Sequence, residues 1–451
     1  MRSQGGRGFH HFIGKVLPAS SLRKRLAVGM SWVMAGSLFR QVSNFLAVIF
    51  VARVLGMTDF GKLAVLQSTV LMISSFGQAG IGLSTTKYIA SNRVVDRERT
   101  GRIIGFTTLF VGITSSLVAL VLVVTSPFLA QRLLPGSDIS AELKLSSVWI
   151  MFEIVSLIQV RMLAGLESFR SCANITFVQG VLLPVVLWGA HLGGVGGAVV
   201  AYSAVSLLSC LLGQALLLKE CRRREIGIQY KNSWGERSIL RMSTMVWLSA
   251  IAMNLSNWMV GIILARRPDG LEEYALFNAA SRYQNVLAFL PTRIFHVSLP
   301  VLANLQAEGN RRGFTRTLVS LGGVSLCVTV AGASLLLLFS DRLMSWYGKG
   351  FDRGGDVLTM VAFLCVASSV WTVASAGLWA AEQSRQMLSL DILRGFLLLS
   401  LCFFGIAATA RGLALAHLIS YTVGGALLLL ALFRYLRQPW VDQEPVLKPD
   451  L

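Results

Sequence analysis

The chain has 451 residues, of which 54% are hydrophobic and only 14% are charged, with a net charge of +19. A soluble domain of this length would carry about a quarter charged residues, so the composition excludes a soluble protein. Apolar runs of about 20 residues, enough to cross the ~30 Å hydrocarbon core of a bilayer, recur from end to end. We therefore predict an all-α polytopic membrane protein.

The apolar runs predict about twelve membrane spans in two sets of six. The first six spans are predicted at 27–50, 63–84, 103–124, 145–164, 175–192 and 197–218. The second six are predicted at 242–264, 275–299, 318–338, 357–379, 392–409 and 413–433. The predicted domains are a basic N-terminal tail (1–26), an N-lobe (27–218), a basic linker (219–241), a C-lobe (242–433) and a C-terminal tail (434–451). The first apolar run is too long for a signal peptide, so we interpret it as a retained span.

The positions of the Lys and Arg residues predict that both termini lie in the cytoplasm. In that orientation 26 of them fall in cytoplasmic tails and loops, 10 fall in external loops and five lie within spans. The positive-inside rule predicts such a bias, and the opposite orientation would invert it. Topology and anionic lipid headgroups therefore explain the basic charge, and no nucleic-acid partner is predicted. The predicted location is the inner (plasma) membrane.

Three short matches in the same order indicate an internal repeat. Leu163–Arg170 matches Leu378–Arg385, and Gly197–Tyr202 matches Gly412–His417, both at one and the same offset along the chain. The segment from Ala52 to Phe60 matches the segment from Ala265 to Tyr274 at almost the same offset. Six spans per half is an even number, so the two halves share their orientation. Parallel repeats of this kind build transporters with a substrate site between the halves.

Five arginines fall within predicted spans, where a central charge costs about 2.5–3.5 kcal/mol on insertion scales. Arg161 and Arg394 lie within a turn of the predicted cytoplasmic ends, so their side chains are predicted to extend to the headgroups. Arg40, Arg282 and Arg293 lie deeper in the predicted spans. Such residues usually face a wet cavity or a charged partner.

Polar residues at helical spacing extend these charges into stripes on the first, second, seventh and eighth spans. Opposed stripes are typical of a water-filled cavity between two bundles. Hydrogen bonds within a dry bundle would give the same pattern, so this alternative stays open. The candidate substrate-binding residues of the lumen are Arg40, Asn44, Gln78, Asn257, Asn278, Arg282, Asn285 and Arg293.

The sign of the charge in this lumen predicts the class of substrate. Three deep arginines against one deep carboxylate, Glu153, make the predicted cavity cationic. Guanidinium groups match phosphate oxygens, so a diphosphate joining a sugar chain to a polyprenyl tail fits the site. Glu153 either pairs with Arg40 or Arg282, or it is the protonatable group that couples turnover to an ion gradient. His417 and Tyr421 are predicted to form a packing pair.

The sequence contains no recognisable catalytic or metal-binding pattern. It has no phosphate-binding loop, no nucleophile elbow and no metal-ligand spacing, and its six cysteines include no C-x-x-C pair. We therefore predict that the protein is not an enzyme and uses no cofactor or metal.

Several short segments share the residue pattern of one known family of membrane proteins. Ala52–Gly56 followed by Asp59–Gly61 is similar to the turn after the first helix of that family. Gly80–Ser84 with Lys87–Ala90 is similar to the end of its second helix. Further similar segments are Gly165–Phe169, Tyr274-Ala275 and Tyr347–Phe351. In these segments the chain resembles the polysaccharide-transport (Wzx-type) flippases of the multidrug/oligosaccharidyl-lipid/polysaccharide exporter superfamily, and the resemblance extends over roughly residues 27–433.

This resemblance implies two six-helix lobes arranged in a V that opens alternately to each side of the membrane. It also implies a lumen formed by the first, second, seventh and eighth helices, and coupling to a proton or sodium gradient. The implied substrates are undecaprenyl-diphosphate-linked oligosaccharides for O-antigen, capsule or exopolysaccharide. Membrane lipids, a polysaccharide polymerase and glycosyltransferases are the implied partners. Related lipid II flippases carry two further helices, which makes a peptidoglycan precursor a less favoured substrate.

Three other functions are compatible with parts of the pattern. A multidrug antiporter of the same superfamily would bind cations and would place carboxylates in its lumen, whereas this chain places arginines there. A non-transporting scaffold for polysaccharide assembly would use the polar stripes as dry contacts. A membrane glycosyltransferase is the least favoured, because external acidic motifs and a donor-binding loop are missing.

Overall fold

The computed structural model describes residues 19–78, 80–135, 139–231 and 238–437, and the helices are the only regular elements within these ranges. The α-helices are α1 (Ala19–Gln78), α2 (Ile81–Asn92), α3 (Arg97–Leu133), α4 (Ser140–Gly165), α5 (Phe169–Leu182), α6 (Pro184–Arg223), α7 (Ser238–Ala265), α8 (Gly270–Leu287), α9 (Phe289–Ala307), α10 (Arg311–Leu338), α11 (Ser340–Ser345), α12 (Gly355–Ala380), α13 (Ser384–Phe403) and α14 (Ala410–Arg437). Two short 3₁₀ turns lie at Phe351–Gly354 and Ile406–Ala408. The predicted all-α class is confirmed.

Breaks within the longest helices account for the number of membrane passes. Nine apolar helices of the described ranges are long enough to span a bilayer, and helices α8 and α9 together form a further span bent by 44°. The apolar part of α1 has 47 residues, and a straight helix of that length would measure about 70 Å. Gly56 interrupts α1 with a φ of 73°, and Gly193 and Gly194 interrupt the continuous segment formed by α5 and α6. Each interrupted segment therefore divides into two shorter helices, so the helices of the described ranges fit the prediction of about twelve spans.

The backbone repeats its special turns in the two halves. Glu167 and Glu382, which match in the sequence repeat, are both left-handed, with φ values of 53° and 56°. In both places the next amide donates to a carbonyl five positions earlier, at 2.9 and 3.0 Å, which satisfies the end of the preceding helix. Gly56 and Asp269, which also match in the repeat, share positive φ values of 73° and 56°. The matches in the sequence are therefore matching helix ends.

The two halves contact each other at the side that is predicted to be external. The Arg53 Nε atom donates to the Trp346 carbonyl oxygen at 2.6 Å. Phe60 of the N-terminal half packs against the Phe351 ring, with 5.8 Å between the centroids. Glu272 accepts a hydrogen bond from Thr58, across the interface, at 3.4 Å. These contacts join the halves at their predicted external ends in this conformation.

A second line of contacts between the halves runs along helix α7. The indole nitrogen of Trp258 donates to Thr69 Oγ1 at 3.0 Å, deep within the predicted spans. The indole nitrogen of Trp247 and the amide of Asn254 donate to the Ser75 carbonyl and hydroxyl at 2.9 and 2.7 Å. All three donors lie on α7 and all three acceptors lie on the second pass of α1. This row of hydrogen bonds forms one wall of the space between the halves.

Candidate substrate cavity

The largest of three adjoining cavities lies between the two halves and has a volume of about 700 Å³. Its wall combines amide and hydroxyl side chains with aromatic rings from both halves. The N-terminal half contributes both passes of α1 together with α4 and α6, and the C-terminal half contributes α7, α8, α12 and α14. Two smaller cavities, of about 260 and 190 Å³, adjoin it and share Asn44 with it.

The structure places all nine residues that the sequence singled out on the walls of these three cavities. The largest cavity is lined by Gln78, Asn257 and Asn278. Both this cavity and the 260 Å³ cavity are lined by Arg282 and Asn285. The 260 Å³ cavity also contains Arg293. Of the remaining three, Asn44 lines all three cavities, Arg40 lines the 190 Å³ cavity, and Glu153 faces both that cavity and the largest one. The polar stripes therefore line open space.

Arg282 connects the polar walls of the two halves. One of its terminal nitrogens donates to Gln67 Oε1 at 2.5 Å and to Asn278 Oδ1 at 2.9 Å. Asn278 lies one turn earlier on the same helix, as the stripe predicted, whereas Gln67 belongs to α1 in the other half. Gln67 in turn donates to the hydroxyl of Tyr202 at 3.0 Å. Neutral amides hold the guanidinium, so its positive charge stays uncompensated by these contacts.

Arg40 and Arg293 add two further positive charges beside the same space. Arg40 is exposed, and its guanidinium donates to Gln179 Oε1 at 2.8 Å. Arg293 stacks over the Phe289 ring at 4.8 Å, and its Nε atom is buried without a hydrogen-bond partner in the described part of the chain. Low-dielectric walls focus the field of such charges into the cavity.

Glu153 lies in the wall without forming an ion pair. Its Oε2 atom accepts a hydrogen bond from Ser206 at 2.8 Å, and the 190 Å³ cavity separates it from Arg40. Among the described residues neither Arg40 nor Arg282 forms a salt bridge with it. The ion pair that the sequence offered as one interpretation is therefore not formed in this conformation.

Arg394 contradicts the expectation that its side chain extends to the headgroups. The residue is only 1% exposed, and its guanidinium lies 4.2 Å from the centre of the Tyr421 ring and 5.5 Å from that of Trp371. The expectation failed because the two rings come from α12 and α14, and their convergence on α13 could not be inferred from the position of Arg394 along its helix. Arg161 is half-buried at the end of α4.

The aromatic part of the cavity wall was not predicted from the sequence. Trp149 and Tyr202 stack almost parallel, with 4.5 Å between their centroids and 7° between their planes. Tyr202 occupies the position that matches His417 in the repeat, and both residues line the largest cavity. The repeat was therefore the feature of the sequence that could have identified Tyr202 as a residue of the cavity wall. The Nδ1 atom of His417 also donates a local hydrogen bond to the Leu413 carbonyl oxygen at 2.9 Å.

Across the ranges that the structure covers, no three His, Cys, Asp or Glu side chains come together in a group that could hold a metal ion. The cavity offers guanidinium, amide, hydroxyl and aromatic groups, which can bind oxyanions and sugars.

Comparison with known proteins identifies the family and the fold. A family described as "Polysaccharide biosynthesis protein" matches residues 26–306. The "EPS I polysaccharide export inner membrane protein EpsE" of Ralstonia solanacearum is 23% identical over 410 residues, which cover 87% of this chain and 89% of that protein. The "Lipid III flippase" of Escherichia coli (strain K12) is 24% identical over 329 residues, which cover 69% of this chain and 75% of that protein.

Solved structures of MOP superfamily transporters share the architecture of this chain. An inward-facing multidrug resistance MATE family transporter of the MOP superfamily superposes with a TM-score of 0.68 at 14% identity, covering 88% of this chain and 94% of that one. A Pyrococcus furiosus MOP superfamily transporter, described as having a binding pocket of reverse polarity, superposes with a TM-score of 0.65 at 15% identity, covering 91% of this chain and 94% of that one. The chain belongs to the polysaccharide biosynthesis protein family, and its resemblance to the Wzx-type flippases of the MOP superfamily is confirmed.

Proposed function

We propose that this protein moves an undecaprenyl-diphosphate-linked oligosaccharide across the inner membrane by alternating access, for the export of O-antigen, capsule or exopolysaccharide. One observation carries the proposal: three arginines and only one carboxylate of the predicted set line a connected polar space between two repeated halves. The two relatives named for polysaccharide export and lipid III flipping support the same class of substrate.

The chemistry of the wall fits the parts of such a substrate. Guanidinium groups bind phosphate oxygens through paired, charge-assisted hydrogen bonds, and Arg282 already presents its terminal nitrogens to the largest cavity. Amides such as Asn44 and Asn257 provide both donors and acceptors for sugar hydroxyls. The stacked Trp149 and Tyr202 rings add apolar surface on which sugar rings can pack.

Alternating access requires that one set of contacts between the halves breaks while another forms. With both termini in the cytoplasm, residues 27–218 and 242–433 move as the two lobes, and the linker 219–241 joins them. The hydrogen bond from Arg53 to Trp346 and the packing of Phe60 on Phe351 must separate for the cavity to open outward. Each of these contacts involves few atoms. The binding energy of the substrate can therefore shift the equilibrium between the conformations that open to the two sides of the membrane.

Glu153 is the proposed group that couples transport to a proton or sodium gradient. It is half-buried at the junction of two cavities, and it has one hydrogen bond, from Ser206, in place of a full ion pair. A carboxylate in this position can take up a cation from water in the cavity and can give it up when the cavity opens to the other side. The proposed partner enzymes are a polymerase and glycosyltransferases.

Two alternatives fit these observations less well. A multidrug antiporter would bind cationic compounds, which the arginines of this cavity repel. A scaffold that transports nothing would not need an open space of about 700 Å³ lined by polar side chains from both halves.

The proposal is tested by complementation of a strain that lacks its own flippase for the glycan. We expect Arg40→Ala and Arg282→Ala to abolish glycan export while the protein still inserts at the normal level. The matched control is Arg342→Ala, because Arg342 is an exposed arginine on the predicted external side and lines none of these three cavities. Full export by both cavity variants would refute the proposal.

A further inference from the structure

Arg394 is the largest of the fully buried side chains in the described residues, yet its charge has no strong partner. The residue is 1% exposed, and its Nε and Nη1 atoms are buried without a hydrogen-bond partner in the described residues. Its Nη2 atom contacts the sulfur of Met253. Asp391 lies one turn earlier and is 5% exposed, but the two side chains form no salt bridge within the parts of the chain that are described. A buried guanidinium left in this state is costly.

The internal repeat relates this position to the Arg40 site of the N-terminal half. Gln179, the partner of Arg40, matches Arg394 at the offset that relates Glu167 to Glu382. Arg40 itself matches Met253 at the offset that relates Asn44 to the identical Asn257. Each half therefore holds one guanidinium between equivalent helices. In the N-terminal half the arginine lies on α1, the counterpart of α7, whereas in the C-terminal half it lies on α13, the counterpart of α5.

The two related guanidinium groups differ in their access to the cavities. Arg40 is exposed and lines the 190 Å³ cavity. Arg394 lines none of the three cavities, because the Tyr421 ring lies 4.2 Å from its guanidinium and itself forms part of the wall of the largest one. Tyr421 has no hydrogen bond that fixes its hydroxyl among the described residues. A rotation of this one side chain would connect the unpaired nitrogens of Arg394 with the cavity.

We propose that Arg394 is a second anion-binding residue, which takes the diphosphate of the substrate when Tyr421 moves away from it. This inference rests on the proposed function, and it adds a subsite in the C-terminal half that is related to the Arg40 site by the repeat. The substrate headgroup would then contact one guanidinium in each half during a transport cycle. The aromatic cover explains why the buried charge is tolerated while the subsite is empty, because cation–π contacts partly compensate it.

The test uses the purified full-length protein and farnesyl diphosphate as a short-tailed probe, with binding measured by calorimetry. We expect Tyr421→Ala to uncover Arg394 and to tighten binding about tenfold, the effect of one charge-assisted hydrogen bond. The double variant Tyr421→Ala/Arg394→Met should lose this gain. Phe403→Ala is the matched control, since it removes an aromatic ring from the helix that carries Arg394, but this ring is 86% exposed, lines none of the three cavities and leaves Arg394 covered.

Equal affinities of Tyr421→Ala and the double variant would overturn the inference and leave Arg394 as a packing residue. Arg394→Lys replaces Arg394→Met in the comparison if the methionine variant does not fold, and it should lose most of the gain because lysine lacks the forked geometry. The Tyr421→Ala substitution should increase the affinity for farnesyl monophosphate less than it increases the affinity for farnesyl diphosphate. Absence of any probe binding by the wild type would count against the proposed function, whereas the comparison of the Tyr421 variants decides the role of Arg394 separately.

Discussion

Replacement of Arg282 by methionine is the perturbation whose size follows most directly from the structure. The guanidinium is half-buried, lines two of the cavities and is held in place by the oxygens of Gln67 and Asn278. Methionine keeps much of the volume but removes the charge and all of its donors. The substitution therefore removes the interaction with the diphosphate and leaves the two amide oxygens free.

The expected effect is a weaker affinity for the diphosphate headgroup. A hydrogen bond to a charged group contributes about 1.5–3 kcal/mol, which corresponds to a loss of roughly 10- to 150-fold in affinity. Arg282→Lys keeps the charge but not the fork, so its loss should be intermediate. Binding of farnesyl diphosphate to purified protein measures the effect, with Arg342→Ala as the control variant. An affinity of Arg282→Met within twofold of the wild type, in a protein with unchanged thermal stability, would refute the reasoning.

Three further changes test other parts of the account. Glu153→Gln should slow gradient-driven glycan transport at least tenfold and leave the Tm within a few degrees; a large drop in Tm would instead assign Glu153 a structural role. Gly61→Ala places a methyl group against the Leu271 carbonyl, so it should shift the equilibrium toward the externally open form, seen as faster labelling of a cysteine introduced into the cavity. Trp258→Phe removes the hydrogen bond to Thr69 and should cost about 1 kcal/mol of stability; an unchanged Tm would show that this contact is replaced by water.

The architecture could be predicted from the sequence because helical spacing indicates the spans and the internal repeat indicates the two halves. Glu167 and Glu382 match in the repeat since each occupies the same left-handed position after a helix. The spacing of Asn278 and Arg282 predicted their common helix face, and the structure joins them directly by a hydrogen bond. The spans and the stripes could therefore be predicted without contacts from elsewhere in the chain.

Contacts between distant helices could not be obtained in this way. Arg282 meets Gln67 of the other half, and the row of donors on α7 likewise meets acceptors that lie far away in the sequence. The cover over Arg394 depends on Trp371 and Tyr421, which lie on two other helices. Spacing along one helix fixes which face a residue occupies, but the neighbour of that face is set by how the bundle packs.

The central claim is that the positively charged cavity carries a diphosphate-linked oligosaccharide across the membrane. Transfer of a fluorescent undecaprenyl-diphosphate oligosaccharide between the leaflets of proteoliposomes tests it most directly, with and without an ion gradient. We predict rapid transfer by the wild type, and transfer at the rate of empty liposomes by the Arg40→Ala/Arg282→Ala variant. Equal transfer by the wild type and this variant, or export of a cationic dye in place of the oligosaccharide, would contradict the account.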